Sequence, residues 1–110
     1  MITNTIQELF DRKSVRVFTD QEILPEEKAL ILKAAAAAPT AGNQQLYTIL
    51  DITDQELKDK LAETCDHQPF IAKAKMVLIF CADYQKWYDA FQAVDCESRK
   101  PGPGDLMLAC

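Results

Sequence analysis

The chain has 110 residues, 48% of them hydrophobic and 26% charged, with a formal net charge of −5. That is enough for one small domain with a modest core, and too apolar for a disordered chain. The acidic balance argues against nucleic acid or an anionic membrane as a partner, so any phosphate must be gripped by a local basic cluster.

In chain order, the spacing predicts a first helix over about Thr5–Arg12, with Thr5 and Glu8 at capping-box spacing and Ile6, Leu9 and Phe10 on one face. It runs into Arg12-Lys13-Ser14-Val15-Arg16, a basic knot in an acidic protein. Phe18–Leu24 reads as irregular, with Thr19-Asp20 as a turn signal. A second helix is expected to begin at Pro25, with Glu26 and Glu27 at the positive end of its dipole. Leu30, Ile31, Ala34, Ala35 and Ala38 form its apolar side, and Pro39 stops it. A small, polar loop, Thr40–Gln45, follows.

Leu46–Ile52 reads as a strand. Thr53 and Glu56 form another capping-box spacing, opening a third helix on which Leu57, Leu61 and Cys65 repeat every four residues. Asp66–Phe70 is a polar break. Met76–Ala82, an unbroken apolar run, is expected to be a strand covered on both faces. Asp83–Val94 is aromatic-rich and expected to be helical. Lys100–Gly104 reads as a linker, and Asp105–Cys110 as the first turn of an apolar helix. A helix that short does not stand alone in water, and two strands make a thin sheet, so the chain is expected to be an incomplete domain.

No run is long enough to cross a bilayer, and Met1–Asn4 does not open a basic-then-apolar secretory signal, so a cytoplasmic location is expected. Cys65, Cys81, Cys96 and Cys110 form no Cys-x-x-Cys pair and stand beside a single histidine, His67. They are expected to be reduced thiols rather than zinc ligands, with Cys65 and Cys81 as core fillers and His67 as an exposed loop residue.

Two segments carry candidate chemistry. Arginine offers phosphate a permanent planar fork and serine adds a short donor, so Arg12, Ser14 and Arg16 could clamp a phosphate. By itself the cluster reads rather as a solvated charged turn. In Pro39–Gln45, small residues let a flat ligand approach the backbone, while Thr40, Asn43 and Gln45 offer donors and acceptors. The plain reading there is a helix stop leading into a strand. Tyr84, Trp87, Tyr88 and Phe91 line either a substrate opening or a packing face.

Taken together and in order, Arg12-Lys13-Ser14-x-Arg16-x-Phe18 and Ala37-Ala38-Pro39-Thr40-x-x-Asn43-x-Gln45 before a strand resemble the nitroreductase family of FMN-dependent oxidoreductases. The stretch Cys65–Ala74, followed by Phe80-Cys81-Ala82-Asp83, resembles its NADPH-dependent flavin and nitro reductases. The resemblance implies an α+β layered fold, a mixed or antiparallel sheet flanked by helices, of which residues 1–110 form the N-terminal part. It implies FMN as cofactor, with Arg12, Ser14 and Arg16 at the phosphate and ribityl end, Thr40, Asn43 and Gln45 near the ring, and Gln68 beside the flavin. Ala41 and Gly42 stand where many relatives carry serines. The implied activity passes hydride from NAD(P)H through flavin N5 to a nitroaromatic, quinone or free flavin, with no catalytic side chain and no metal. A homodimer with flavin at the interface is expected, and the alternative is a truncated domain that dimerises without flavin.

Overall fold

The computed structural model describes residues 3–110. Helix α1 (Asn4–Asp11) starts behind Thr3, whose hydroxyl accepts the Ile6 N–H at 3.4 Å. The expected Thr5 cap does not form, because Thr3 takes that role and leaves Thr5 inside the first turn. Residues 12–24 contain neither helix nor strand. Helix α2 (Pro25–Ala36) begins at the expected proline, and the Glu27 carboxylate accepts the Leu24 N–H at 2.8 Å.

A short 3-10 turn at Ala41–Asn43 leads into β1 (Tyr47–Asp51), which pairs antiparallel with β2 (Leu78–Ala82). The register sets Tyr47 opposite Ala82, Ile49 opposite Phe80 and Asp51 opposite Leu78. Between the strands lie α3 (Gln55–Thr64) and α4 (Phe70–Lys73). Asp54, not Thr53, caps α3: its carboxylate accepts the Leu57 N–H at 2.9 Å. Helix α4 falls where the sequence shows a polar break and a lead-in, and four residues give too little periodicity to read. Helix α5 (Gln85–Ala93) matches its expected place. The last helix, α6 (Pro103–Ala109), starts two residues before the expected Asp105, with proline in its first turn.

The strands are tied by more than their ladder. Thr48 Oγ1 donates to the Asp83 carboxylate just beyond β2, which in turn accepts the Lys86 N–H at 3.2 Å. Lys86 Nζ returns to the Tyr47 carbonyl at 2.9 Å, so α5 is anchored to the start of β1.

Packing departs from the sequence reading. β2 is not covered on both faces: Phe80 is 61% exposed. An apolar run signals burial only where neighbours exist to supply it, and among the described residues the Phe80 side of the strand is left uncovered. On α3 the buried residues are Lys58 and Ala62, each 8% exposed, while Leu57 is half exposed. The helix therefore turns a face one residue away from the expected Leu57–Leu61–Cys65 stripe toward α4. Cys65 ends the helix exposed rather than in a core, and Cys81 is half-buried.

The described residues form an open arrangement. The radius of gyration is 18.0 Å, where a compact chain of this length has about 13 Å. The accessible surface is 9115 Å², against about 6,100 Å² for a folded monomer of this mass. Leu9, Phe10, Leu30 and Met107 all stand in solvent. Among the described residues no helix is long and apolar enough to cross a membrane.

Candidate functional site

Arg12 closes α1, its N–H bonded to the Glu8 carbonyl at 3.0 Å. Beyond it the chain leaves the helix with Ser14 and Arg16 exposed. Among the described residues, the side chains of Arg12 and Ser14 make no hydrogen bond or ion pair with the protein, so their donors are available. Arg16 is positioned: its guanidinium carbon stands 5.8 Å from the Phe70 ring centroid. Phe18 meets the same ring edge-on at 6.2 Å. The basic segment is thereby docked on the start of α4.

Gln68 stands two residues before Phe70, on a turn held in an uncommon conformation. Asp66 and His67 both have positive φ, 62° and 51°. The Gln68 N–H reaches back to the Ala62 carbonyl at 2.7 Å, one residue beyond the 6→1 bond of a Schellman helix end. Its side-chain amide donates to the Cys65 carbonyl at 3.0 Å, which fixes the group and leaves its carbonyl oxygen without a partner among the described residues. His67 is exposed, as expected.

Thr40, Asn43 and Gln45 stand elsewhere. Thr40 Oγ1 accepts the Gln45 N–H at 3.1 Å, and the Thr40 carbonyl accepts the Asn43 N–H at 3.0 Å. Gly42, Asn43 and Gln45 have φ of 58°, 52° and 50°. Glycine adopts this region freely and asparagine tolerates it, but glutamine there stores about 1 kcal/mol of strain. The loop rests on α5, where Trp87 Nε1 donates to the Gln44 carbonyl at 2.6 Å. Between them opens a cleft of about 530 Å³, lined by Gly42, Asn43, Tyr84, Trp87, Tyr88 and Phe91 among others. Trp87, Tyr88 and Phe91 of α5, with Tyr84 just before the helix, thus stand on the wall of this cleft. Trp87 and Phe91 lie 6.4 Å apart between ring centroids.

The structure therefore sets Arg16 on Phe70 at the start of α4 and the Thr40–Gln45 loop against α5. No hydrogen bond joins the two groups among the described residues. Sequence reading missed Phe70 as the seat of Arg16, and it missed the lysines of α3 and α4. A groove of about 760 Å³ runs between residues 16–22 and these helices, with Lys58, Lys73 and Lys75 on its wall. The available signal was Lys58 lying four residues before Ala62, on one helical face.

Electrostatics are strongest at two carboxylates. The Thr48 hydroxyl and the Lys86 N–H hold Asp83 below the usual carboxylate range. A two-pronged contact with Arg99, at 2.7 and 2.8 Å, and the Gly102 N–H bring Asp105 down to about 2. Lys75 is raised by its hydrogen bond to Glu22.

The sequence model of the nitroreductase family matches residues 9–100, and the chain belongs to that family. It is 34% identical over 85 residues to an FMN reductase [NAD(P)H] of Bacillus subtilis, covering 77% of this chain and 34% of that protein. An NADPH-flavin oxidoreductase of Vibrio harveyi is 33% identical over 85 residues, covering 77% of this chain and 35% of the relative. The fold matches a solved nitroreductase of B. subtilis with a TM-score of 0.88 at 29% identity, covering 96% of this chain and 44% of that one. It also matches the NADPH:FMN oxidoreductase of Vibrio harveyi complexed with NAD+, with a TM-score of 0.86 at 26% identity, covering 97% and 45%. The chain thus spans about a third of these curated relatives and under half of the solved chains. The expected α+β nitroreductase fold, with helices about an antiparallel sheet, is the fold observed.

Proposed function

We propose that the chain contributes FMN-binding elements to a cytoplasmic, homodimeric NAD(P)H-dependent oxidoreductase of the flavin, nitro or quinone reductase type. The observation that carries this reading is the chemistry of the donor set. Among the described residues Arg12 and Ser14 keep their side-chain donors free, Arg16 is oriented by the Phe70 ring, and the Gln68 amide is fixed by the Cys65 carbonyl. A phosphate and a polyhydroxyl chain need that combination. The side chains of Asn43 and Gln45 likewise make no hydrogen bond among the described residues, on a loop whose left-handed backbone is strained as binding loops often are. Amide donors and acceptors beside an aromatic-lined cleft suit the edge of a flavin ring, so the residues fit FMN. When bound, FMN supplies the hydride chemistry between NAD(P)H and a small oxidised acceptor. The protein's part is to grip the phosphate, fix the ring edge and shape the cleft.

Addition of FMN followed by gel filtration tests the reading. Flavin absorbance is expected to travel with the protein and to bleach with NADPH. Replacing Arg16 with glutamine is expected to weaken FMN by about ten- to a hundredfold, the worth of one charged hydrogen bond. A second reading, a self-associating domain without flavin, is favoured by the large exposed apolar surface. A colourless protein that sediments as a dimer would establish that reading and overturn the first.

A further inference from the structure

A second set of cations lies beside the residues assigned to the flavin. The groove between residues 16–22 and the α3–α4 pair is lined by Arg16, Lys58, Lys73 and Lys75, with Asp20 and Glu22 as its acids. Lys75 is committed to Glu22 at 2.5 Å. The remaining cations are Arg16, Lys58 and Lys73, against Asp20 alone, in a protein whose net charge is −5.

Lys58 is the informative member. It is the buried charged residue of the described chain, 8% exposed, on the face of α3 that packs against α4. Its ammonium donates to the Ala74 carbonyl at 3.2 Å, capping the end of α4. An ammonium carries three donors, and no carboxylate among the described residues pairs with it. Burial of a cation without an opposite charge is costly, and such groups are normally paired. A helix cap fills one donor without neutralising the charge. Lys73 adds a second cation from the last turn of α4, and likewise has no ion-pair partner among the described residues.

We propose that this groove binds a phosphate monoester or free phosphate, held by Lys58 and Lys73. Lysine suits such a ligand as a compact point charge. The inference goes beyond the flavin reading, because Lys58 and Lys73 are not among the residues assigned to FMN and the site can be probed without flavin.

The test is a calorimetric titration of the full chain with inorganic phosphate at low ionic strength. Saturable binding is expected. Replacing the exposed Lys73 with glutamine is expected to weaken it by about threefold or more, as for loss of one solvent-screened charge contact. Lys58→Met is expected to weaken it by about tenfold or more. Should that variant lose its far-ultraviolet dichroism, Lys73→Gln carries the test alone. Lys100→Gln, an exposed lysine outside the groove, is expected to leave binding unchanged. Absence of saturable binding, or equal losses in Lys73→Gln and Lys100→Gln, overturns the proposal. Competition then separates the sources of the phosphate. Displacement by FMN but not riboflavin assigns it to the flavin, and displacement by 2′-AMP alone assigns it to a nucleotide. Phosphate that resists both is itself the ligand. Flavin retention is read separately by visible absorbance, so failure of either proposal leaves the other standing.

Discussion

The middle of the chain and its two flanks are built by different means. From β1 to β2, order rests on long-range contacts: a ladder with fixed register, α3 packed on α4, and the Thr48–Asp83 bond across thirty-five residues. In α1, α2 and α6, order rests mainly on local signals, although Lys28 of α2 also pairs with Asp51 at the end of β1. Thr3 caps α1, Glu27 reaches back to Leu24, and Asp105 reaches back to Gly102. None of these three helices contains a buried residue. Caps settle where a helix starts, but stability in short helices comes from packing an apolar face. The flanks have their caps and lack that packing.

Hydrogen exchange gives the sharpest way to break this comparison. Amides of the β1–β2 ladder are expected to be protected at least about 100-fold more than those of α1, because the ladder opens only with its long-range partners. Equal protection would show that α1 has found a partner for Leu9 and Phe10, as a dimer would supply. The next effect is at Ala62. Ala62→Leu forces a larger side chain between α3 and α4, and is expected to destabilise the middle by about 1–3 kcal/mol in urea unfolding. A matched change on the flank, Leu9→Ala, is expected to stay within about 0.5 kcal/mol. Comparable losses at both positions would erase the distinction.

Thr48→Val tests the link between the regions. Loss of the hydroxyl is expected to destabilise by about 1 kcal/mol. It should also raise the Asp83 pKa, since the Thr48 hydrogen bond is the largest influence lowering it. A carboxyl that titrates lower in the folded state than in the unfolded chain stabilises fully above its ordinary value of 3.8 and loses that contribution as pH falls through the folded value. The variant is therefore expected to show a shallower loss of stability as pH falls below 3.8. An unchanged acid limb would remove Thr48 from the account.

What could be read from sequence divides along the same line. Pro25 and the apolar Met76–Ala82 run place α2 and β2, because each signal is local and strong. The caps of α1 and α3 were misassigned by a residue or two. Both regions offer rival oxygens, Thr3 against Thr5 and Asp54 against Thr53, and local spacing does not choose between them. Burial was less legible. The Leu57–Leu61–Cys65 stripe is apolar, yet Lys58 and Ala62 face α4, a helix too short to announce itself. For the site, the order of Arg16, Asn43 and Gln68 carried the family resemblance. Sequence gave no sign that Arg16 would sit on Phe70, or that Gln44 would be held by Trp87, because both contacts join distant segments.

The smallest expected effect lies at the far flank, where Asp105 serves as both cap and ion-pair partner. Arg99 and the Gly102 N–H hold its carboxyl at about 2, below the ordinary 3.8. Its contribution is therefore complete above pH 3.8 and drains as pH falls toward 2. Because the pair is solvent-exposed, screening keeps its effect local. Asp105→Asn is expected to fray the first turn of α6, visible as faster exchange of the Leu106 and Met107 amides, while urea unfolding of the β1–β2 region stays unchanged. In the unaltered protein the same fraying is expected on acidification below pH 3.8, and added salt should weaken the Arg99 contact at neutral pH without loosening the Gly102 cap to the same degree. If Asp105→Asn instead lowered the stability of the strand pair, α6 would have to be packed on the middle of the chain. The flank would then belong to the same cooperative unit, and the division between local caps and long-range packing would fail where α6 meets the aromatic cleft through Leu108.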